Sequence, residues 1–330
     1  MTHRGFDEQM AALDALKGRS LDAASVELIT RSLGNRSNLL VAKAARLAED
    51  NHLNNLVRQL IIAFDRFFVD AEKSDPQCWA KNALSRALSK LGCRDKDVFL
   101  RGLHHHQMEP VWGGRSDSGG TLRANCAHGL MGCEGLIAQD VLLLLLDLLA
   151  DPDKSVRVEA IRAISQLDQM AVPVFRLRAL IPGEDPEVLS VCFSALLAID
   201  RKPSMAFVAQ FLRKGDDAAA EAAFALAETH ELAAFNALIE LRRQPTAASS
   251  EPWFTGLLLS AIALTRLTEA VNYLLGLIEN EDRDAPVALE ALAKLEPGAE
   301  LRERIEHAVE GAGSPRLRKV LKEHLPPTGH

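Results

Sequence analysis

Residues 151–167, DPDKSVRVEAIRAISQL, form the most regular pattern in this chain of 330 residues. The pair Asp151-Pro152 predicts a break, because proline donates no backbone hydrogen bond and restricts the residue before it. After the break, apolar residues recur at helical spacing on one face: Val156, Ala160, Ile161, Ala163, Ile164 and Leu167. Polar residues occupy the opposite face: Arg157, Glu159, Arg162 and Gln166. The pattern therefore predicts an amphipathic helix that packs on one side.

The segment before the break, and its recurrence along the chain, indicate a repeat. Residues 139–150, QDVLLLLLDLLA, have the length and apolar richness of a buried helix. The unit is thus a helix, a break and a second helix, and Asp185-Pro186 repeats the break of Asp151-Pro152. Small or apolar residues recur at the position of Ala160, at an average spacing of about 35 residues: Ala44, Ala83, Cys126, Cys192, Ala222, Leu258, Ala288 and Leu321. Such a period predicts stacked helix pairs, whose close approach requires small residues.

The order of residues within this unit resembles a HEAT repeat, of the short HEAT-like type found in phycobilin-lyase-type proteins. The resemblance lies in Asp151-Pro152 and the helix that follows, and again in the pattern LRxxCAxGL of residues 122–130. It covers nearly the whole chain, from residue 21 to residue 325. It implies an armadillo-like fold, a right-handed α-α superhelix, but such folds host many unrelated functions.

We therefore expect an all-α protein, a single elongated HEAT-like solenoid over residues 1–330 with about nine helix pairs. Length alone would suggest two globular domains, at roughly 150 residues each. Residues 1–20 are expected to form an N-terminal capping helix. Residues 21–299 are expected to form repeats one to eight, with a long loop at 108–120, and residues 300–330 a C-terminal capping repeat and tail.

The composition favours a cytoplasmic protein that binds no nucleic acid. Its 38 basic and 45 acidic residues give a net charge of −7, whereas nucleic-acid binders usually carry a basic excess. The five cysteines are odd in number and unpatterned, which suits a reducing compartment. The first residues, MTHRGFDE, lack the features of a signal peptide, and the longest apolar run, residues 141–146, is too short to span a membrane.

One segment departs from the repeat: residues 104–120, HHHQMEPVWGGRSDSGG. It is longer than the roughly 2 to 8 residues that connect helices in bundles, and long loops often carry function. Since tryptophan and arginine are common interface anchors, a recognition surface is predicted here. Its residues are His104, His105, Glu109, Trp112, Arg115 and Asp117. The alternative is a loop that folds back, so that its tryptophan fills a gap between repeats.

The second helices of HEAT-type solenoids typically line the concave face. On that expectation, five polar residues of two successive second helices would lie near the loop and complete the binding surface: Arg123, Asn125, His128, Arg157 and Arg162. The alternative is that such charges are only solvated or paired between repeats. Alanine at both Trp112 and Arg123 is predicted to abolish partner capture without loss of thermal stability.

No catalytic set, metal site or cofactor site is predicted. Three consecutive histidines cannot share one metal on a helix, because adjacent residues point about 100° apart. The HEAT-like enzyme deoxyhypusine hydroxylase uses several His-Glu pairs, whereas this chain has only one, His230-Glu231. HEAT-like DNA glycosylases use a basic groove, and this chain has no dense basic stripe outside its C-terminus. We therefore expect a non-enzymatic scaffold or adaptor that binds a protein or peptide on its concave face and the 104–123 loop. The alternative is a HEAT-like enzyme or accessory, of the lyase or DNA-repair type, with an unidentified site.

Overall fold

The computed structural model describes residues 3–243 and 252–326, and within these ranges the chain is mostly helical. This confirms the all-α class predicted from the sequence. The predicted N-terminal cap and C-terminal tail extend beyond the described residues, at Met1 and Thr2 and at residues 327–330. None of the described helices is both long and apolar enough to cross a membrane.

Internal contacts divide the chain into two compact units, Met1–Ala171 and Val172–His330. The described part of the first unit contains these helices in order: α1 His3–Asp14, α2 Ala23–Leu33, α3 Asn38–Asp50, α4 Val57–Arg66, α5 Ala71–Ser74, α6 Trp79–Lys90, α7 Lys96–Leu103, α8 Gly120–Leu130, α9 Ala138–Leu146 and α10 Lys154–Ile164. Two strands, β1 Met108–Val111 and β2 Gly114–Asp117, lie between α7 and α8. Short 3-10 turns cover Asn54–Leu56, Pro76–Cys78, Asp147–Ala150 and Ser165–Met170.

The described part of the second unit contains helices and one 3-10 turn, Gln210–Lys214. Its helices are α11 Val172–Ala179, α12 Pro186–Ile199, α13 Arg201–Ala209, α14 Asp217–Ala227, α15 Leu232–Arg243, α16 Pro252–Leu264, α17 Thr268–Glu279, α18 Ala285–Ala293, α19 Ala299–Ala312 and α20 Pro315–His324.

In the first unit, the helices that carry the predicted repeat position pack in a row. Helix α3 contacts α6, α6 contacts α8, and α8 contacts α10. Each also packs on the element before it in the repeat, which is α2, α4, α7 and the 3-10 turn after α9, respectively. The repeat residues of these helices are all buried: Ala44, Ala83, Cys126 and Ala160. Small side chains at these positions allow the neighbouring backbones to approach closely.

The second unit shows the same order of contacts. Helices α12, α14, α16, α18 and α20 pack in a row, and α11, α13, α15, α17 and α19 each pack on the helix that follows. Four of the five predicted repeat residues are buried: Cys192, Ala222, Leu258 and Ala288. The fifth is wrong by one turn, because Leu321 is only half-buried and Leu317 is the buried residue of α20.

The helix breaks lie where the sequence predicts them, but the two Asp-Pro pairs are not equivalent. Asp153, not Asp151, caps α10, and its carboxylate accepts from the backbone N–H of Ser155 at 2.9 Å. Asp185 caps α12 and accepts from the backbone N–H of Glu187 at 3.0 Å. Both caps precede the buried repeat residue of their helix by the same interval, 153 to 160 and 185 to 192. Asp151 is therefore free for a different role.

The apolar helix predicted over residues 139–150 is shorter than expected. Helix α9 ends at Leu146, and a 3-10 turn carries the chain to Ala150. Leu145 is buried, whereas Leu143 is exposed on the opposite side. The segment packs on one face only, so fewer of its residues are buried than the apolar run predicts.

Glycine allows α7 and α8 to pack closely. A Cβ atom at Gly129 of α8 would overlap the ring of Phe99 in α7. A Cβ atom at Gly102 of α7 would overlap the Sγ atom of Cys126 in α8. The two strands lie between α7 and α8 in the chain. The contact between these helices therefore fixes both ends of the segment that carries the strands.

Candidate functional site

The segment predicted as a long loop at 108–120 is a β-hairpin followed directly by α8. Strands β1 and β2 are antiparallel, with Met108 opposite Asp117 and Val111 opposite Gly114. The turn between them is Trp112-Gly113, and Gly113 has a φ of 88°, which glycine adopts without steric cost. The strands were missed because neither shows the alternating apolar pattern of a half-buried strand. The long loop predicted at 108–120 is therefore an ordered hairpin within the connection between α7 and α8.

The tip of this hairpin is apolar and exposed. The side chain of Trp112 is fully exposed, and Val111 beside it is also exposed, whereas Met108 is exposed at the base of the hairpin, opposite Asp117. The interpretation of Trp112 as a residue that fills a gap between repeats is therefore wrong. Tryptophan is a frequent anchor at interfaces, so the tip is a candidate contact surface.

A buried carboxylate holds the base of the hairpin. Glu109 of β1 is buried, and its carboxylate accepts from the backbone N–H of Gln77 at 2.8 and 3.0 Å. The side-chain N–H of buried Gln107 donates to Glu109 at 2.7 Å and to the backbone oxygen of Asp75 at 2.9 Å. Burial acts to raise the pKa of Glu109, but the hydrogen bonds from Gln107 and Gln77 outweigh it and lower the pKa. Glu109 is thus an internal anchor, which corrects its prediction as a surface binding residue.

A second carboxylate holds the same end of the hairpin from β2. Asp117 of β2 accepts from the backbone N–H groups of Gln107 and Gly119 at 2.9 and 2.8 Å. It also accepts from His106 Nδ1 at 2.9 Å and from Arg123 Nη1 at 2.7 Å. Burial acts to raise the pKa of Asp117, but these four hydrogen bonds together hold it well below its ordinary value. Asp117 is therefore charged and fully engaged within the protein.

Arg123 joins the hairpin to the helices. Its side chain is buried, with 1% of its surface exposed, and it forms a two-point contact with Asp151 at 2.7 and 3.1 Å. Its Nη1 also donates to the backbone oxygen of His105 at 3.0 Å. Burial acts to lower the pKa of Arg123, and the bonds with Asp151 and Asp117 raise it overall. Arg123 is therefore not available to a partner, which corrects its assignment to the binding surface.

The three adjacent histidines have three different environments. His104 is exposed, whereas the ring of His105 packs edge-on against Phe68 with ring centres 5.0 Å apart. Burial lowers the pKa of His105. His106 is bound to Asp117 as described above. In the part of the chain that the structure describes, no group of three or more His, Cys, Asp or Glu side chains is placed to hold a metal ion.

The remaining predicted site residues lie on the surface or pair with neighbouring repeats. Arg115 donates to Glu72 at 2.9 Å and to the backbone oxygen of Met108. Arg157 binds the backbone oxygens of Asp151 and Pro152. His128 Nε2 lies 2.9 Å from Glu159, which also contacts Arg162. Of these contacts, only the one between His128 and Glu159 joins two of the predicted second helices, α8 and α10, whereas Arg157 and Arg162 bind groups within or just before α10.

A groove beside the hairpin gathers residues that the sequence did not single out. Its volume is about 330 Å³, and its walls come from α3, α6, α8 and the 3-10 turn before α6: Arg46, Gln77, Trp79, Asn82, Ala83, Arg86, Thr121 and Asn125. Asn125 is the one predicted site residue among them, and its Nδ2 donates to the backbone oxygen of Asn82 at 3.1 Å. The spacing of Trp79, Asn82 and Arg86 places them on one helix face, a signal that could have been found.

The start of α6 connects the groove to the hairpin. Gln77 and Cys78, just before Trp79, have positive φ angles of 61° and 52°, a conformation that costs energy for residues other than glycine. Two carboxylates hold this turn. Glu109 binds the N–H of Gln77, and buried Asp75 accepts from the N–H groups of Ala80 and Lys81 at 2.8 and 2.9 Å. The Lys81 ammonium, also fully buried, lies 3.1 Å from Asp75.

Comparison with protein-family models finds no match, and neither does a search of the curated proteins.

Proposed function

We propose that this chain is a HEAT-like helical scaffold that binds another protein or a peptide, and that the hairpin tip anchors the partner. The observation that carries the proposal is the full exposure of Trp112 on a hairpin whose base is tied down by buried hydrogen bonds. Tryptophan removes a large apolar area from water when it is covered, and it often carries much of the binding energy at interfaces. Since the base is fixed, little entropy is lost when the tip is ordered by a partner.

The HEAT-like part of the proposal draws on the order of helix contacts. In each unit the second helices pack in a row, each on its own first helix, and small buried residues mark their shared face. This is the nearest-neighbour packing expected of a solenoid. The right-handed superhelix of about nine pairs over the whole chain stays a prediction.

The proposed surface is smaller than the one predicted from the sequence. It consists of Trp112 with Val111, which is exposed beside it, and of three exposed residues nearer the base of the hairpin, His104, Met108 and Arg115. Buried Glu109 and Arg123 support this surface from below. The net charge of −7 favours a protein partner over nucleic acid, and a cytoplasmic location remains part of the proposal.

Affinity capture from the native host with a matched pair of variants tests this function. Trp112→Ala removes the exposed anchor, whereas Trp253→Ala removes another exposed tryptophan in the second unit. We expect the native chain and the Trp253 variant to capture the same partner, and the Trp112 variant to lose it. Equal capture by the Trp112 variant would show that the hairpin tip is not the binding element.

A further inference from the structure

We infer that the groove between α3, α6 and α8 binds an extended acidic segment of a partner protein. In this arrangement Trp79 contacts the apolar side chains of the segment, and Arg46 and Arg86 contact its carboxylates. The inference names the partner chemistry of the binding role proposed above and rests on that role, but it uses a surface different from the hairpin tip.

The charge of the groove determines which charge a bound segment should carry. Its lining residues include two arginines and no carboxylate. Arg86 is partly neutralised, since its Nε lies 2.9 Å from Glu49. Within residues 3–243 and 252–326, Arg46 is exposed and has no carboxylate partner. Arg46 is therefore an unneutralised cation at the edge of the groove, and an acidic occupant complements it.

The polar groups of the groove favour a polypeptide over a nucleic acid. The groove is lined by amide and hydroxyl side chains, which pair with the N–H and C=O groups of a peptide backbone. Every residue of a peptide except proline supplies one backbone N–H, whereas a phosphodiester backbone supplies none. Gln77, Thr121 and Asn125 add further amide and hydroxyl groups to the same lining.

The dimensions of the groove suit a short extended segment. Its walls span three successive packed helices, α3, α6 and α8. At about 8–10 Å between neighbouring packed helices, roughly six residues of extended chain at about 3.3 Å each cross the mouth of the groove, and its volume of about 330 Å³ takes in only part of them. Such a segment has room to place an apolar side chain on Trp79 and acidic side chains near the two arginines.

Trp79 is held ready for this contact. It is the first residue of α6 and follows the turn with positive φ angles at Gln77 and Cys78. Because Glu109 and Asp75 bind the backbone of this turn and of the first turn of α6, the start of the helix has little freedom. A side chain that is fixed before binding loses less entropy when a partner covers it.

A peptide titration of the full chain tests the inference. In a variant with Trp112→Phe and Trp253→Phe, Trp79 is the only tryptophan and reports binding by its fluorescence. The probes are three twelve-residue peptides that alternate leucine with glutamate, glutamine or lysine, and a twelve-nucleotide oligothymidylate. We expect the glutamate peptide to bind at least about tenfold more tightly than the glutamine peptide, and the lysine peptide and the oligonucleotide to bind no better than the glutamine peptide.

Charge reversal in the groove supplies the control. Arg46→Glu is expected to weaken binding of the glutamate peptide at least about tenfold. Arg58→Glu makes the same change at an exposed position of α4 outside the groove and is expected to leave binding unchanged. Circular dichroism verifies that both variants fold. The inference is overturned if all peptides bind equally, if the oligonucleotide is preferred, if the two variants behave alike, or if no probe binds. None of these results decides the capture test of Trp112, because that test concerns the hairpin tip and not the groove.

Discussion

Arg123 of α8 and Asp151, which precedes α10, form a two-point contact: Nε lies 2.7 Å from Oδ2, and Nη2 lies 3.1 Å from Oδ1. The third nitrogen, Nη1, donates to Asp117 at the end of the hairpin at 2.7 Å. One buried guanidinium thus connects the hairpin to α8 and to the segment before α10. Asp151 is available for this contact because Asp153 caps α10 in its place.

Removal of Arg123 is expected to destabilise the protein strongly. Arg123→Ala leaves Asp151 buried without its ion partner, and breaking such a pair costs about 3–5 kcal/mol. Arg123→Lys keeps the charge but loses the two-point geometry, so it should also destabilise, though less. Urea denaturation monitored by circular dichroism measures both free energies of unfolding. Arg162→Ala, which removes an exposed ion pair with Glu159, should cost less than about 1 kcal/mol.

This expectation also replaces the prediction made from the sequence for the double variant of Trp112 and Arg123. Loss of partner capture in that variant would report unfolding near the hairpin as well as a lost contact, because Arg123 is buried. If Arg123→Ala instead unfolded at the same urea concentration as Arg162→Ala, the guanidinium would not be the structural link described above.

Glu109→Ala is expected to release the hairpin without removing its exposed tip. The change leaves the N–H of Gln77 and the side chain of Gln107 without their shared acceptor. Hydrogen exchange of residues 108–117 should accelerate by about tenfold or more, since each 1.4 kcal/mol of lost local stability gives a factor of ten. Mass spectrometry of the hairpin peptide measures the rate.

The control for hairpin release is Glu72→Ala, which keeps the hydrogen bond from Arg115 to the backbone oxygen of Met108. Glu72 pairs with Arg115 on the surface, and each side chain is about half exposed, so loss of this pair should change the exchange rate little. Equal acceleration in both variants would mean that Glu109 does not hold the base of the hairpin.

Asp117 is expected to make the protein sensitive to acid. Its pKa in the folded state lies well below that of an unfolded carboxyl group, about 3.9. Its contribution to stability is therefore complete above about pH 5, and it is lost as the pH falls through the unfolded value towards the folded one. Asp117→Asn should lower stability at neutral pH and reduce the slope of unfolding free energy against pH between about 5 and 2.

Denaturation curves at successive pH values test this dependence. Ser116→Ala, on the same strand, removes a hydroxyl group but no titrating group, so it should keep the slope of the native chain. An unchanged slope in Asp117→Asn would contradict the role assigned to this carboxylate.

Two glycine substitutions are expected to change the free energy of unfolding in opposite directions. The first tests the packing of α7 on α8, and the second is its control. Gly129→Ala places a methyl group on the ring of Phe99 and should destabilise by about 1–3 kcal/mol. Gly276→Ala in α17 meets no atom within 4 Å and should stabilise by up to about 1 kcal/mol, because alanine favours the helix. Chemical denaturation measures both. A neutral Gly129→Ala variant would mean that α7 and α8 can separate at no cost.

The helices and their buried faces were predictable because they depend on local patterns. The buried face of α10 is predicted by apolar residues at helical spacing around Ala160. Small residues at the same place in other helices predict which of their faces pack. The structure buries Ala44, Cys126 and Cys192 as this pattern predicts. The prediction is wrong where packing is weaker. In α20 the buried residue lies one turn before Leu321, and α9 is half-exposed although the sequence predicts a buried helix.

The site was less predictable because its residues are far apart in the chain. Trp112 was predicted as a binding residue because it is a rare aromatic residue in a segment that departs from the repeat pattern, and its binding role stays a prediction. Arg123 and Glu109 were assigned to the surface, since charged residues are rarely buried unless they are paired, and their partners lie elsewhere in the sequence. The groove around Trp79 was missed, because its walls come from three helices of different repeats.

Sequence periodicity was enough to establish helices, their buried faces and the position of the unusual segment, because each depends on residues within a few turns of one another. Contacts between distant residues determined the rest. They turn the segment into a hairpin, bury Arg123 between Asp117 and Asp151, and place Arg46 beside Trp79. A charged side chain is stable in the interior only where the fold brings it a partner, and no local pattern records that partner.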